Sequence, residues 1–121
     1  MTKKAVISLT TGLEDTEKVT VALLQAVAAA ESGRQTVVFL AKEAVRLAMP
    51  GVALGVACAG CPPIQDLLKR YAEAGGKYLA CTLCVNAKGL SSQELIAGAE
   101  PGGTVPLWQW IGEDDPITFS Y

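Results

Sequence analysis

Four cysteines, set as two Cys-x-x-Cys pairs, are the side chains of this 121-residue chain best suited to chemistry: Cys58-Ala59-Gly60-Cys61 and Cys81-Thr82-Leu83-Cys84. The sequence holds no histidine, which removes Ser/His/Asp triads, Cys/His dyads and His-ligated zinc from this chain taken alone. Sulfur remains. A thiolate attacks a disulfide or a sulfane sulfur without an imidazole; it needs access and surroundings that favour the charged form.

The two pairs occupy different kinds of position. Cys81 follows directly on the short apolar run Lys77-Tyr78-Leu79-Ala80 and precedes Thr82 to Lys88, which has helical character and Gly89 as its stop. A strand end that turns into a helix N-terminus is where α/β domains gather reactive groups, and the partial positive charge there supports a thiolate. Cys81 is thus the candidate nucleophile, and Cys84, one turn along, the candidate resolving or modulating thiol. Cys61 sits beside the helix start marked by Pro62-Pro63, whereas Cys58 has no such cue. Two other chemistries fit the same residues. Cys58, Cys61, Cys81 and Cys84 form a Cys-x2-Cys-x19-Cys-x2-Cys pattern, in the spacing range of a four-thiolate zinc site, and an iron–sulfur cluster also accepts four thiolates. Against a metal, a helix of apolar periodicity and a buried strand separate the pairs, unlike the turns of a zinc ribbon. Either Cys-x-x-Cys also suits a dithiol oxidoreductase, although no proline can be assigned the cis position opposite the motif.

The elements that must position these thiols alternate. Ala5 to Leu9 reads as a buried strand; Val19, Leu23, Ala26, Val27 and Ala30 then share a helix face, with Asp15 as N-cap and Gly33 as stop. Thr36 to Leu40 is a second strand and Glu43 to Met49 a short helical segment. Pro50 to Pro63 reads as an irregular loop, with a strand over Val52 to Ala57 as the alternative. Pro62-Pro63 open a helix with Ile64, Leu67, Leu68 and Tyr71 on one face, closed by Gly75-Gly76. Ser91 with Glu94 predicts a capping box for a helix through Ala97, followed by a break at Pro101-Gly102-Gly103. Val105 to Ile111 suits a helix or a strand, Glu113 to Pro116 a turn, and Ile117 to Tyr121 a terminal strand. Thr10-Thr11-Gly12 reads as a turn, lacking the glycine pattern of a phosphate loop. The expected fold is a three-layer α/β/α domain over residues 1–121, with a mainly parallel sheet of about five strands in a flavodoxin-like arrangement.

Composition narrows the function further. Half the residues are apolar, and ten Lys+Arg against twelve Asp+Glu give a net charge of −2, so nucleic-acid binding is not expected. The uncharged run Leu47 to Gln65 is broken by prolines and glycines, so no membrane insertion is expected, and the apolar stretch after Met1-Thr2-Lys3-Lys4 is too short for a signal peptide. The expected compartment is the cytoplasm, with the cysteines mostly as reduced thiols, metal ligands or redox groups and not structural disulfides. Apolar residues remain for a subunit contact, where Trp108 and Trp110 are expected; a closed homo-oligomer covers such surface.

Together these residues resemble the DsrE/DsrF-like family: a first strand ending in Thr10-Thr11-Gly12, the strand Val37 to Leu40 leading into Ala44 to Met49, and Cys-Pro-Pro-Ile opening a helix. Lys77 to Cys81 with Lys88-Gly89-Leu90 beyond it, and the terminal Ile117-Thr118-Phe119, complete the pattern over nearly the whole chain. The resemblance implies a small sulfur-handling α/β protein, a trimer or hexamer, with sulfur donor and acceptor proteins as partners and no resident cofactor. In such proteins a cysteine matching Cys81 carries sulfur as a persulfide, as in sulfur oxidation and tRNA thiolation relays. Some relatives carry a second cysteine at the position of Cys84, whereas the Cys58/Cys61 pair departs from the common pattern.

Overall fold

The computed structural model describes residues 2–121; Met1, the first residue of the basic N-terminal segment, lies outside the described residues. Five strands, β1 (Ala5–Leu9), β2 (Thr36–Leu40), β3 (Lys77–Ala80), β4 (Ala99–Pro101) and β5 (Ile117–Ser120), form one sheet in the order β4-β3-β2-β1-β5. Every pairing is parallel, with Ile7 beside Val38 and Phe119, Phe39 beside Leu79, and Tyr78 beside Ala99. β2 is the middle strand, and all five of its residues are buried, which is why Thr-Val-Val-Phe-Leu reads as a continuous apolar run without alternation. β5, at an edge, is exposed at every position.

Helices α1 (Thr16–Glu31), α2 (Ile64–Glu73), α3 (Thr82–Ala87) and α4 (Thr104–Ile111) connect the strands. The steps from β1 to β2, β3 and β4 all move the same way across the sheet, so right-handed crossovers place their helices on one face. Val19, Leu23, Ala26 and Val27 of α1, Ile64, Leu67, Leu68 and Tyr71 of α2 and Val85 of α3 close one core over Ile7, Val38, Leu40 and Tyr78. The return from β4 to β5 runs the other way and puts α4 on the opposite face, where Ile111, with Leu107 and Trp110, covers Val6, Val37, Phe39 and Leu79. The two outer layers are therefore unequal.

Local signals account for most boundaries. Asp15 caps α1 by accepting the Lys18 amide at 3.0 Å, after a single 3-10 turn at Leu13–Asp15. Pro63 is the N-cap of α2, where a missing amide costs nothing. The segment expected as a helix from Glu43 is a 3-10 run, Lys42–Ala48, and Pro50 to Pro63 is irregular, with no strand at Val52 to Ala57. Val105 to Ile111 resolves as helix, Pro106 lying in the first turn of α4.

A further expectation fails in the segment before β4. Ser91 to Ala97 is not a helix: Ser91 Oγ accepts the Gln93 amide at 3.2 Å in a local turn, and the Ile96 amide is held by Ala48 O at 2.9 Å. A side chain that satisfies the nearest amide competes with the helix it was expected to cap. The chain then forms β4 in the stretch just before the expected break, for which the sequence predicts no element, and the break itself falls at Gly102-Gly103. Pro101 fits because β4 is an edge strand, its missing amide turned away from β3.

Tyr71 and Tyr78 pack edge-to-face at 4.9 Å between ring centres. The Tyr71 hydroxyl lies 2.8 Å from Lys77 O and 3.0 Å from Thr36 O and accepts the Lys77 amide at 3.1 Å; Tyr78 donates to Leu68 O at 2.9 Å. Burial raises both phenols above the ordinary tyrosine range. Among the described residues no helix is long and apolar enough to cross a membrane.

Candidate functional site

β3 ends at Ala80, and Cys81 follows as the N-cap of α3. The Cys81 amide donates to Leu40 O at 2.9 Å, still in the ladder with β2, while its carbonyl already accepts the Val85 amide of α3 at 2.9 Å. Its side chain is half-buried and touches both apolar cores. Topology explains that position. β3 feeds α3 on one face, whereas its neighbour β4 feeds α4 on the other, and such divergence opens a crevice at the strands' carboxyl ends where parallel sheets bind ligands. Across the crevice the Gly102 amide donates to Ala80 O at 3.0 Å, and a Cβ on Gly102 would meet Leu79 Cδ2 at 3.0 Å and Pro106 Cβ at 3.3 Å. The absent side chain at Gly102 lets β4 turn into α4 close beside Cys81.

Cys84 lies on the other side of Cys81, toward β2. Its sulfur accepts the Lys42 amide at 3.2 Å. Lys42 is the one non-glycine among the described residues with a positive φ, 54°, a conformation that L-residues adopt at a cost. Around this point Glu43 pairs with Lys88 at 2.6 Å and with Arg46 at 3.3 Å. The Lys88 ammonium, with Arg46 behind it, holds the Glu43 carboxyl below the ordinary carboxylate range. Three cations, Lys42, Arg46 and Lys88, thus share this rim with one carboxylate. None of the four was singled out as a site residue from the sequence; the available signal was their position just beyond the ends of β2 and α3.

Of the states expected for the cysteines, reduced thiol and metal ligand do not hold for Cys58 and Cys61, which are joined as a disulfide with Cα atoms 5.1 Å apart, while Cys81 and Cys84 are free. Gly60, at φ 75°, lets the chain turn tightly enough for the Cys61 amide to bond Cys58 O at 3.0 Å, which brings the side chains together. Cys58 packs against α1, its sulfur 3.6 Å from Thr20 Oγ1. Among the described residues no group of three or more His, Cys, Asp or Glu side chains could hold a metal ion. The four sulfurs considered as a zinc or iron–sulfur ligand set do not converge. The Thr10-Thr11-Gly12 turn is also internally satisfied: Tyr121 O accepts the Thr10 amide at 2.9 Å, and Glu14 accepts the Gly12 amide at 2.8 Å.

Comparison with known proteins gives the site its family setting. An uncharacterized protein of Methanopyrus kandleri is 30% identical over 103 residues, 85% of this chain and 82% of that one. The crystal structure of the ychN protein from E. coli superposes with a TM-score of 0.80 at 28% identity, covering 98% of this chain and 100% of that one. A protein of unknown function from Methanobacterium thermoautotrophicum shares the fold at a TM-score of 0.68 and 12% identity, over 99% and 100% of the two chains. The family model described as DsrE/DsrF-like matches residues 3–119, from just before β1 into β5, and the chain belongs to that family.

Proposed function

We propose that this protein is a sulfur carrier that accepts sulfane sulfur on Cys81 and passes it to a partner protein. Family membership suggests a sulfur-relay role. The observation that carries the finer reading is the placement of a free, half-exposed Cys81 at the crevice between the diverging β3 and β4, with the free thiol of Cys84 one turn away. In the loading step the Cys81 thiolate attacks the outer sulfur of a donor persulfide, the donor's S–S bond breaks, and the donor leaves as a thiolate. In the transfer step an acceptor thiolate attacks the outer sulfur of the Cys81 persulfide and restores the Cys81 thiolate. Lys42, Arg46 and Lys88 on the neighbouring rim favour approach of an anionic donor.

The test is direct. Full-length protein incubated with a sulfane donor is expected to gain about 32 Da, the mass of one sulfur atom, located at Cys81 by peptide mapping. Mass gain located elsewhere, or none, refutes the reading.

The same reading has the chain working in the cytoplasm, between sulfur donor and acceptor proteins, as a closed homo-oligomer, a trimer or a hexamer. Val105 and Trp108 of α4 are 65% and 67% exposed, an apolar surface on the thinner layer of the fold. Trp110, by contrast, is half-buried, its ring 4.9 Å from Lys4 Nζ, so Trp108 is the better probe of a contact there. Light scattering at tens of micromolar, about the range where stable interfaces persist, is expected to show an oligomer that Trp108→Ala weakens. A monomeric wild type overturns the assembly reading.

A further inference from the structure

The Cys58–Cys61 pair has no part in the chemistry proposed for Cys81, and a role as a mere structural clip explains it poorly. Its disulfide closes a loop of only four residues, so it removes little chain entropy from the unfolded state. The backbone it spans is already tied by the Cys61 amide to Cys58 O at 3.0 Å, and just outside it the Ile64 amide bonds Val56 O at 3.0 Å. Both cysteines are half-exposed, and α2, which begins at Ile64 three residues after Cys61, starts at the carboxyl-end rim of the sheet before running back to deliver β3. The pair therefore sits on the rim where parallel α/β folds place their reactive groups.

Two local features favour opening and closing of the bond. Thr20 gives its one hydroxyl proton to Thr16 O at 2.7 Å, so the oxygen 3.6 Å from Cys58 Sγ is free to accept. A thiol formed at Cys58 has a partner waiting. Thr20 also backs the Cys58 sulfur on the α1 side, leaving Cys61 as the approachable one. The loop from Pro50 to Pro63 has no charged side chain and no polar one apart from the cysteines, while Leu54 is 71% exposed and Val52 36%. Nothing in that loop would hold the carboxylates of a small anionic thiol, whereas its exposed Leu54 and Val52 offer apolar surface to an apolar peptide segment.

We propose that Cys58–Cys61 is a thiol–disulfide exchange site whose substrate is a cysteine thiol carried on an uncharged, apolar peptide segment. The substrate thiolate attacks Cys61 Sγ and the S–S bond breaks. Cys58 leaves with the bonding electrons, takes a proton from water and donates it toward Thr20 Oγ1. A second substrate thiolate then attacks the substrate sulfur of the mixed disulfide, Cys61 departs as a thiolate, and the substrate leaves as a disulfide. Two electrons pass from two substrate thiols to the cysteine pair, so this half-reaction needs no other oxidant and leaves Cys58 and Cys61 reduced.

The test uses the oxidised full chain without added metal. It is incubated anaerobically with either reduced glutathione or an uncharged peptide carrying one cysteine between alanines and leucines, then quenched by alkylation and mapped by mass. Cys58 and Cys61 are expected to become alkylatable in both arms, faster with the peptide at equal concentration. A mixed disulfide with the peptide is expected on Cys61, and Cys61→Ala, checked for folding by circular dichroism, loses it. A pair that stays closed in both arms is a structural clip and overturns the proposal, since structural disulfides resist thiols of the glutathione type. Faster opening by glutathione refutes the apolar substrate, and a mixed disulfide mapped to Cys58, Cys81 or Cys84 refutes the assignment to Cys61. These outcomes are independent of sulfur loading on Cys81, so either proposal can fail alone.

Discussion

Cys81→Ser is expected to abolish the gain of about 32 Da on treatment with a sulfane donor, while Cys84→Ser loads to the same extent as wild type and then holds its sulfur longer. The loss is expected because serine offers no thiolate at the crevice, the Cys58/Cys61 sulfurs are bonded to each other, and Cys84, the remaining free thiol, lies to the β2 side with its sulfur engaged by the Lys42 amide. Misfolding is not a competing explanation. Cys81 is the N-cap of α3 and makes no side-chain capping bond, and serine is a preferred N-cap, so the capping gain offsets the cost of a hydroxyl beside the two apolar cores and the variant should fold. On the proposed mechanism, in wild type loaded without an acceptor, the Cys84 thiolate is expected to attack Cys81 Sγ. The persulfide bond breaks, hydrosulfide leaves, and a Cys81–Cys84 disulfide forms. Serine at 84 cannot do this, yet its hydroxyl can still accept the Lys42 amide that now reaches Cys84 Sγ at 3.2 Å. Sulfide release from loaded Cys84→Ser is therefore expected to slow by at least about tenfold, read by a sulfide electrode or by decay of the loaded mass. Loading of Cys81→Ser at the wild-type level sinks the assignment of Cys81. Unchanged sulfide release from Cys84→Ser removes the resolving role from Cys84.

The position of Cys81 was legible because the strand Lys77–Ala80 and the helix start at Thr82 are both written locally, in an apolar run and a stop at Gly89. The crevice that makes the position special was not. It depends on β4 lying beside β3, and β4 is three residues, Ala-Glu-Pro, of which only Ala99 is even half-buried. Such a strand carries no period of its own; it exists because β3 offers an open edge, with the Tyr78 amide bonding Gly98 O at 2.9 Å. The same competition explains the failed helix at Ser91 to Ala97, where a capping pattern is present but the Ile96 amide is taken by Ala48 in a distant segment. The Cys58–Cys61 bond escaped for another reason: the spacing admits a disulfide, a metal pair or two free thiols equally, and only the turn at Gly60 decides among them. Lys42 had no signal beyond adjacency to β2, since a positive φ at a lysine is imposed by the packing of its neighbours.

Gly76→Ala is expected to destabilise the fold by about 3 kcal/mol or more, one of the largest effects of any single added methyl in this chain. From sequence, Gly75-Gly76 reads as a paired helix stop with one shared role, but the two residues are glycine for different reasons. Gly75 has φ 87° and no atom within 4 Å of where a methyl would sit, so alanine there costs only the backbone conformation, about 1 to 2 kcal/mol. Gly76 is not in the left-handed region; a Cβ on it would instead overlap the ring of Tyr71. That ring cannot step aside. It is fully buried against Tyr78, and its hydroxyl is tied to Lys77 and Thr36, so movement would break the bonds that join α2 to β2 and β3. With roughly 4 °C of melting temperature per kcal/mol at this chain length, the variant should melt about 12 °C or more below wild type, and urea titration should show the same order. Tyr71→Leu costs stability by itself but empties the space the methyl needs, so Gly76→Ala should cost much less in that background than alone. A loss within about 1 kcal/mol of wild type for Gly76→Ala, or an equal cost in both backgrounds, contradicts the packing argument. The consequence reaches the chemistry, because Lys77 begins β3 immediately after Gly76, and β3 is the four-residue strand that delivers Cys81 to the crevice.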